Sequence, residues 1–313
     1  LYLMILNIIQ AVNMKTLQKP KWIRSKIISS PSYCKISKLL RKLNINTVCE
    51  EAFCPNKLSC WKNNDVTFLI LGKQCTRNCR FCNVEPNYFW QKPDENEPFN
   101  IALAINTLKL EYAVITSVTR DDLPDFGCSH FVKVIKFIKE NCNIPVEILI
   151  PDFHAQPSLL RQIYLASPSV IGHNIETVPR LYPSIRPESS YEKSINVLQF
   201  FSQFKEQSFA IKSSIMLGLG ETENEIYKTA SDIRNAGVDI FYIGQYLQPS
   251  KKHAQVHKYY TTDEFNKIAS RMKEELGFPV VLAGPLVRSS FEAKKSYVRF
   301  LELSLNAKNH LHG

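Results

Sequence analysis

The chemistry of this chain is concentrated in its cysteines. Six of the nine, Cys49, Cys54, Cys60, Cys75, Cys79 and Cys82, fall within 34 residues. Cys75-Thr76-Arg77-Asn78-Cys79-Arg80-Phe81-Cys82 has the spacing C-x3-C-x2-C. Three thiolates this close suit three corners of an iron–sulfur cubane and leave one iron an open position for a small molecule. Cys49, Cys54 and Cys60 form C-x4-C-x5-C, which points to a second cluster, again one ligand short. A single mixed six-cysteine site is a competing arrangement that spacing leaves open. Structural zinc is the plainer alternative, but closed zinc sites favour paired C-x2-C motifs with four ligands, and no histidine lies between Cys49 and Cys82. An oxidised disulfide framework belongs to small secreted domains, which this chain is not. Cys34, Cys128 and Cys142 read as inert small hydrophobes.

The elements that must position these thiols are legible as alternation. Short apolar, β-branched runs begin near Val66, Tyr112, Val146, Ser169, Ala210, Ile240 and Pro279, as strands buried on both faces should. Helical patterns over His130 to Lys139, Tyr191 to Phe201, Glu221 to Asn235 and Thr262 to Leu276 separate some of them. Repeated strand–helix units predict an α/β fold with a parallel sheet, a partial TIM-type (β/α)6 barrel. In such barrels chemistry sits at the C-terminal ends of the strands. The Cys75 triplet starts four residues after the first run ends, so it falls on that face.

Composition narrows the class. With 313 residues, 44% hydrophobic and 22% charged, the chain is globular rather than disordered or fibrous. Its net charge of +10 is spread without a basic tract, which argues for a solvated basic surface and against a metal-stapled nucleic-acid module. The apolar start, Leu1 to Ile9, has no basic flank and is too short to span a bilayer. Residues 1–19 are expected to be disordered or artefactual, with Met14 a candidate start. An N-terminal extension over 20–64, the barrel over 65–283 and a C-terminal extension over 284–313 complete the expected organisation.

C-x3-C-x2-C with an aromatic residue before its last cysteine, Phe81, resembles the radical S-adenosylmethionine superfamily. The wider set is similar to the lipoyl synthase family: Val48 to Asn56 with Cys60-Trp61, Thr116-Ser117-Val118-Thr119-Arg120-Asp121-Asp122-Leu123, His173 to Arg180, Met216 to Glu221, Gln245 to Pro249, and Gly284 to Ser290 with its Arg288-Ser289-Ser290 ending. The similarity runs from about Pro20 to Ala293. Phe291 stands where the family usually has Tyr, and Ser214 where it has Gly.

The resemblance implies that Cys75, Cys79 and Cys82 hold the four-iron cluster that binds S-adenosylmethionine. Cys49, Cys54 and Cys60, with Ser290 as an unusual fourth ligand, would hold an auxiliary four-iron cluster that donates sulfur. Phe81, Thr116, Ser117, Asn174 and Glu176 are candidates for contact with S-adenosylmethionine, and Arg288 for contact with substrate. The implied reaction inserts sulfur at C6 and C8 of an octanoyl chain on a lysine of a lipoyl carrier protein, using two S-adenosylmethionine molecules per lipoyl group. Acid–base catalysis cannot address an unactivated C–H bond, so a cofactor-derived radical must.

The implied partners are octanoylated carriers (E2 subunits of 2-oxoacid dehydrogenases, the glycine cleavage H protein), an electron donor such as ferredoxin or flavodoxin, and an iron–sulfur carrier. No nucleic acid and no membrane span are expected. The expected location is bacterial cytoplasm, with mitochondrion or plastid as alternatives. A biotin-synthase-like sulfur-inserting enzyme is the rival within the superfamily, though it would not require C-x4-C-x5-C or the Arg-Ser-Ser ending.

Overall fold

The computed structural model describes residues 17–23, 31–86, 92–204 and 209–311. Of the expected N-terminal segment, residues 1–16 lie outside the described residues. One eight-stranded sheet organises the rest: β1 (Asn46–Thr47), β2 (Thr67–Ile70), β3 (Ala113–Ser117), β4 (Val146–Leu149), β5 (Val170–Gly172), β6 (Ala210–Leu217), β7 (Ile240–Gln245) and β8 (Val280–Gly284), hydrogen-bonded in that order. β2 to β8 are mutually parallel, and only the short edge strand β1 runs antiparallel, pairing Asn46 with Leu69 and Thr47 with Phe68. β1 and β8 are the two edges, so the barrel is partial, as expected.

Helices α1 (Pro31–Lys42), α2 (Val48–Glu51) and α3 (Lys57–Lys62) build the N-terminal extension. The crossovers between successive parallel strands carry α4 (Glu97–Leu108), α5 (Cys128–Cys142), α6 (Pro157–Leu165), α7 (Tyr191–Ser202), α8 (Glu223–Asn235) and α9 (Thr262–Glu274); α10 (Ala293–Leu311) follows β8. The predicted starts and ends shift for local reasons. α8 begins two residues later than the pattern suggested, because the Glu221 carboxylate accepts from the Gly218 and Leu219 amides at 2.6 and 2.9 Å, and Thr222 caps the helix in a reciprocal box with Glu225. α9 is capped in the same way by Thr261 and Glu264 and stops at Glu274, short of Leu276.

The strands are buried on both faces, most of their apolar side chains joining the crossover helices in one large cluster and the rest a smaller one. α10 closes the N-terminal end of the sheet: Tyr297, Phe300 and Leu303 pack on Val170, Ala210, Ile240 and Val280, each the first residue of its strand. Beside them Lys212 and Glu147 form a buried ion pair at 2.7 Å, with the Tyr112 hydroxyl donating to the same carboxylate at 2.8 Å. With this end plugged, the accessible cavity is at the C-terminal end. One expectation fails here: Cys34 is exposed on the outer face of α1 rather than packed as a small hydrophobe, whereas Cys128 is buried. α1 turns Ile36, Ser37 and Leu40 inward instead.

Candidate active site

β2 ends at Ile70, and the chain must then turn sharply to deliver Cys75. Leu71 makes the turn with φ 68° while fully buried, a conformation costly for a branched side chain. Both its backbone groups are held by side chains: the amide donates to Glu97 Oε2 at 3.0 Å, and the carbonyl accepts from Arg120 Nη1 at 3.2 Å. Glu97 is itself bonded to His130 Nε2 at 2.6 Å. Two residues beyond Cys75, Arg77 is buried between two carboxylates, forked onto Asp121 (2.8 and 2.9 Å) and onto Asp152 (2.5 and 2.9 Å). This pairing holds Asp152 well below the usual carboxylate range despite its burial. The Arg77 amide faces Cys75 Sγ at 3.4 Å. The triplet loop is therefore anchored from β2, from the turn after β3 and from the turn after β4.

The first trio is held differently. Thr47 caps α2, which carries Cys49; Cys54 follows it and Cys60 lies on α3. Asn83 Nδ2, one residue past Cys82, donates to the Glu51 carbonyl at 2.9 Å and ties the two cysteine segments together. Asn56 Nδ2 donates to the Leu286 carbonyl at 2.6 Å across 230 residues of sequence. Arg288 feels the charge of Cys54, and Cys60 that of Glu292. The segment that carries Ser290 is thus laid on the first trio from both sides.

All six cysteines and Ser290 line one cavity of about 510 Å³ at the C-terminal end of the strands. Phe81, Thr116, Ser117, Asn174, Glu176 and Arg288 line it too, so the structure brings every residue singled out from the sequence to one place. Burial pushes Cys49 and Cys79 up to about 11, and Cys60 and Cys82 up to about 12. Mutual charge adds to this within each trio: Cys60 feels Cys49 and Cys54, and Cys82 feels Cys79 and Cys75. Thiols crowded and desolvated in this way are stabilised as thiolates by metal, with release of their protons. Among the described residues no three His, Cys, Asp or Glu side chains meet at a single-ion position. In a cubane each thiolate binds a different iron, so the ligands stand apart around it. The donor set fits two clusters.

Among the described residues, three buried polar atoms around the cavity have no partner: Ser117 Oγ, His173 Nε2 and Arg186 Nε. Buried polar atoms are ordinarily satisfied, so these are open to a polar ligand beside the second trio. Arg186 escaped the sequence reading. It is buried, donates from Nη1 to the Asn174 and Ile175 carbonyls, and its charge acts on Cys79 and Glu176. No local motif marks it. Thr116, in contrast, already donates its hydroxyl to the Leu149 carbonyl at 3.0 Å. Asn174 Nδ2 donates to Glu176 Oε1 at 3.0 Å, and burial holds the Glu176 carboxyl above its ordinary range. His173 bonds Ile150 O through Nδ1 at 2.9 Å, and burial draws it down to about 4, so it is neutral at neutral pH.

Comparison with known proteins meets this geometry. The model of the radical SAM superfamily matches residues 69–233, and that of the N-terminal domain of lipoyl synthase matches residues 7–54. Lipoyl synthase of Mycobacterium avium (strain 104) is 44% identical over 284 residues, 90% of this chain and 90% of that protein. Lipoyl synthase of Aquifex aeolicus (strain VF5) is 47% identical over 262 residues, 83% of this chain and 94% of that one. This chain belongs to the lipoyl synthase family. Among solved structures, methylornithine synthase superposes with a TM-score of 0.54 at 16% identity (85% of this chain, 71% of that one). The FeFe-hydrogenase maturase HydG from Carboxydothermus hydrogenoformans does so with 0.56 at 13% identity (85% and 68%). These two establish the shared fold. No helix among the described residues is long and apolar enough to cross a membrane.

Proposed function

We infer that this chain is a radical S-adenosylmethionine sulfurtransferase that inserts two sulfur atoms, at C6 and C8, into an octanoyl group borne on a lysine of a carrier protein. Family membership over nine-tenths of the chain supports the reaction. The observation that carries the site is the convergence of two cysteine trios, distant from the Ser290 segment in sequence, on one cavity.

In this reading Cys75, Cys79 and Cys82 hold one four-iron cluster, and Cys49, Cys54, Cys60 and Ser290 hold the other. When bound, the two clusters supply the electron that cleaves S-adenosylmethionine and the sulfur that is inserted, one cosubstrate for each carbon. The remaining tasks fall to the polypeptide. Ser117, Asn174, Glu176 and Arg186 offer polar contacts to S-adenosylmethionine beside the second trio, and Phe81 packs the loop between its cysteines against Val178, Leu181 and Tyr246. Leu69, Ile150, Ile215 and Met216 line the same cavity, and this apolar lining seats the octanoyl chain while excluding water and competing hydrogen donors. Arg288, half-buried near Cys54, is suited to an electronegative group of the substrate or cluster.

The division of labour follows: residues 20–64 supply auxiliary ligands, 65–283 the barrel, and 284–313 the closing segment. The carriers are octanoylated E2 subunits and H protein, with a ferredoxin or flavodoxin as donor and an iron–sulfur carrier to rebuild the auxiliary cluster. The bacterial relatives support a cytoplasmic setting.

The test is anaerobic reconstitution with iron and sulfide, then turnover on an octanoyl-lysine peptide read by mass. About eight irons per chain and a product carrying two added sulfurs are expected. Substitution of either trio by alanine should leave about four. Zinc in place of iron, or a peptide recovered unchanged while S-adenosylmethionine is cleaved, would overturn the reading. Single sulfur insertion into dethiobiotin instead would favour the biotin-synthase-like alternative.

A further inference from the structure

The segment from Cys79 to Cys82 is a partition between two spaces. Cys79, Phe81 and Cys82 line the cavity, while Arg80 lines a separate groove of about 530 Å³ that shares no lining residue with it. The backbone of Arg80 is stitched into the groove wall: its amide donates to the Ile185 carbonyl at 2.9 Å, and its carbonyl accepts from the Ala254 amide at 2.8 Å. His253 adds a second stitch from Nε2 to the Cys82 carbonyl at 2.9 Å. A carbonyl only accepts, so Nε2 carries the proton, and Nδ1 accepts from the Ser250 hydroxyl at 2.9 Å.

The loop that follows β7 is thereby pressed against the outer side of the cysteine segment. It presents Lys251, Lys252, His257 and Lys258, all exposed, beside exposed Arg80. Lys258 is matched by Glu264 at 2.7 Å, and Arg180 on the groove wall by Glu225 at 2.7 Å. The carboxylate of Glu188 accepts from the Asn78 amide nearby. Among the described residues, Arg80, Lys251 and Lys252 enter no ion pair, so the face is net positive.

We propose that this basic face, Arg80 with Lys251 and Lys252, is the docking site of a small acidic one-electron carrier protein that reduces the cluster on Cys75, Cys79 and Cys82. The proposal rests on the reading of those cysteines given above. Electron transfer weakens steeply with distance, and Arg80, exposed on this face, lies in the same short segment as Cys79 and Cys82, which line the cavity. The cavity mouth must stay open to the octanoyl carrier, so a separate reductant face lets both proteins bind together. One electron leaves the reduced carrier and enters the cluster; no bond forms or breaks and no proton moves. Unpaired surface cations attract an acidic partner over roughly a Debye length, ~10 Å at 0.1 M salt, and such steering raises association rates by about 10- to 1000-fold.

The experiment uses iron-loaded full-length protein and a reduced two-iron ferredoxin as probe. Cluster reduction is followed by stopped-flow absorbance over a range of salt, with dithionite as the small chemical reductant. Lys251→Glu with Lys252→Glu should slow reduction by ferredoxin at least tenfold at low salt and flatten its salt dependence. Reduction by dithionite should stay within twofold of wild type. Lys251→Gln with Lys252→Gln should fall between. An unchanged ferredoxin rate overturns the proposal. So does an equal fall with dithionite, which would make the loop a support of the cluster. A raised KM for the octanoylated carrier with an unchanged ferredoxin rate would assign the face to the substrate protein instead. Wild-type protein that takes up no iron would fail the cysteine reading first, a result distinct from any of these.

Discussion

Replacing Arg77 tests whether the cysteine loop is anchored by charge. The guanidinium is almost fully buried and makes four charge-assisted contacts to two carboxylates, with Asp152 2% exposed. Arg77→Gln keeps some volume and hydrogen bonding but leaves the Asp152 carboxylate buried without its counter-ion. Removing one partner of a buried pair costs about 3–5 kcal/mol, mostly from the charge left behind. Asp121 is part-exposed and rehydrates, so the loss centres on Asp152. The stability that Asp152 contributes through its depressed pKa is present above the unfolded value and lost as pH falls; in Arg77→Gln the depression is gone and burial raises the carboxyl instead, so that acid-side loss should shrink or reverse. Arg77→Lys, which keeps the charge without the fork, should recover part of the deficit. The assay is urea unfolding of the metal-free protein, with a double-mutant cycle against Asp152→Asn. The double variant should be more stable than the summed singles by at least about 1 kcal/mol. Strict additivity, or Arg77→Gln at wild-type stability, would refute the anchoring argument.

His173 binds a proton in the unfolded chain near 6.5 but in the folded one only near about 4. Stability should therefore fall by about 3 kcal/mol as pH drops across that window, and His173→Gln should flatten the unfolding profile there. Ser117→Ala removes an unpartnered buried hydroxyl; folding stability should change by less than about 0.5 kcal/mol, while calorimetric affinity for S-adenosylmethionine should weaken roughly tenfold. Gly218 has φ 106°, and a Cβ there would lie 2.3 Å from Gln245 Nε2 and 2.5 Å from the Lys258 carbonyl. Gly218→Ala should cost about 2 kcal/mol or more in thermal or urea unfolding.

The barrel strands were legible because parallel strands covered on both faces read as unbroken apolar runs. All seven runs named from the sequence are strands of the sheet. α4 was not, because apolar residues lie all round it: Phe99 and Leu103 are exposed on the face opposite the buried Ile101, Ala102, Ala104 and Ile105 and blur the helical stripe. Two-residue β1 is too short to carry any period. Within the site, cysteine spacing marked both trios, since ligands to one cluster must be close in space and here are close in the chain. Ser290 came only from the family resemblance. Arg186 was missed altogether: its meaning lies in the Asn174 and Ile175 carbonyls it holds and the Cys79 it faces, contacts that no local pattern encodes.

The two trios differ in how they are held, and the difference matches their proposed fates. Cys75, Cys79 and Cys82 sit on a loop fixed by a strained Leu71, by Glu97 and Arg120 on its backbone groups, and by the Arg77 forks. A site that gives up an electron and regains it in every cycle needs an unchanging geometry. Cys49 and Cys60 sit on helices of four and six residues, too short to persist alone. They are kept in place by β1, by Asn83 on Glu51, by Asn56 on Leu286 and by Trp61, which is wholly buried in the core beside Cys60. In the proposed reaction the auxiliary cluster is consumed, and Ser290, carried on a turn of the C-terminal segment rather than on a helix or strand, would be a ligand released without unfolding either helix that bears a cysteine.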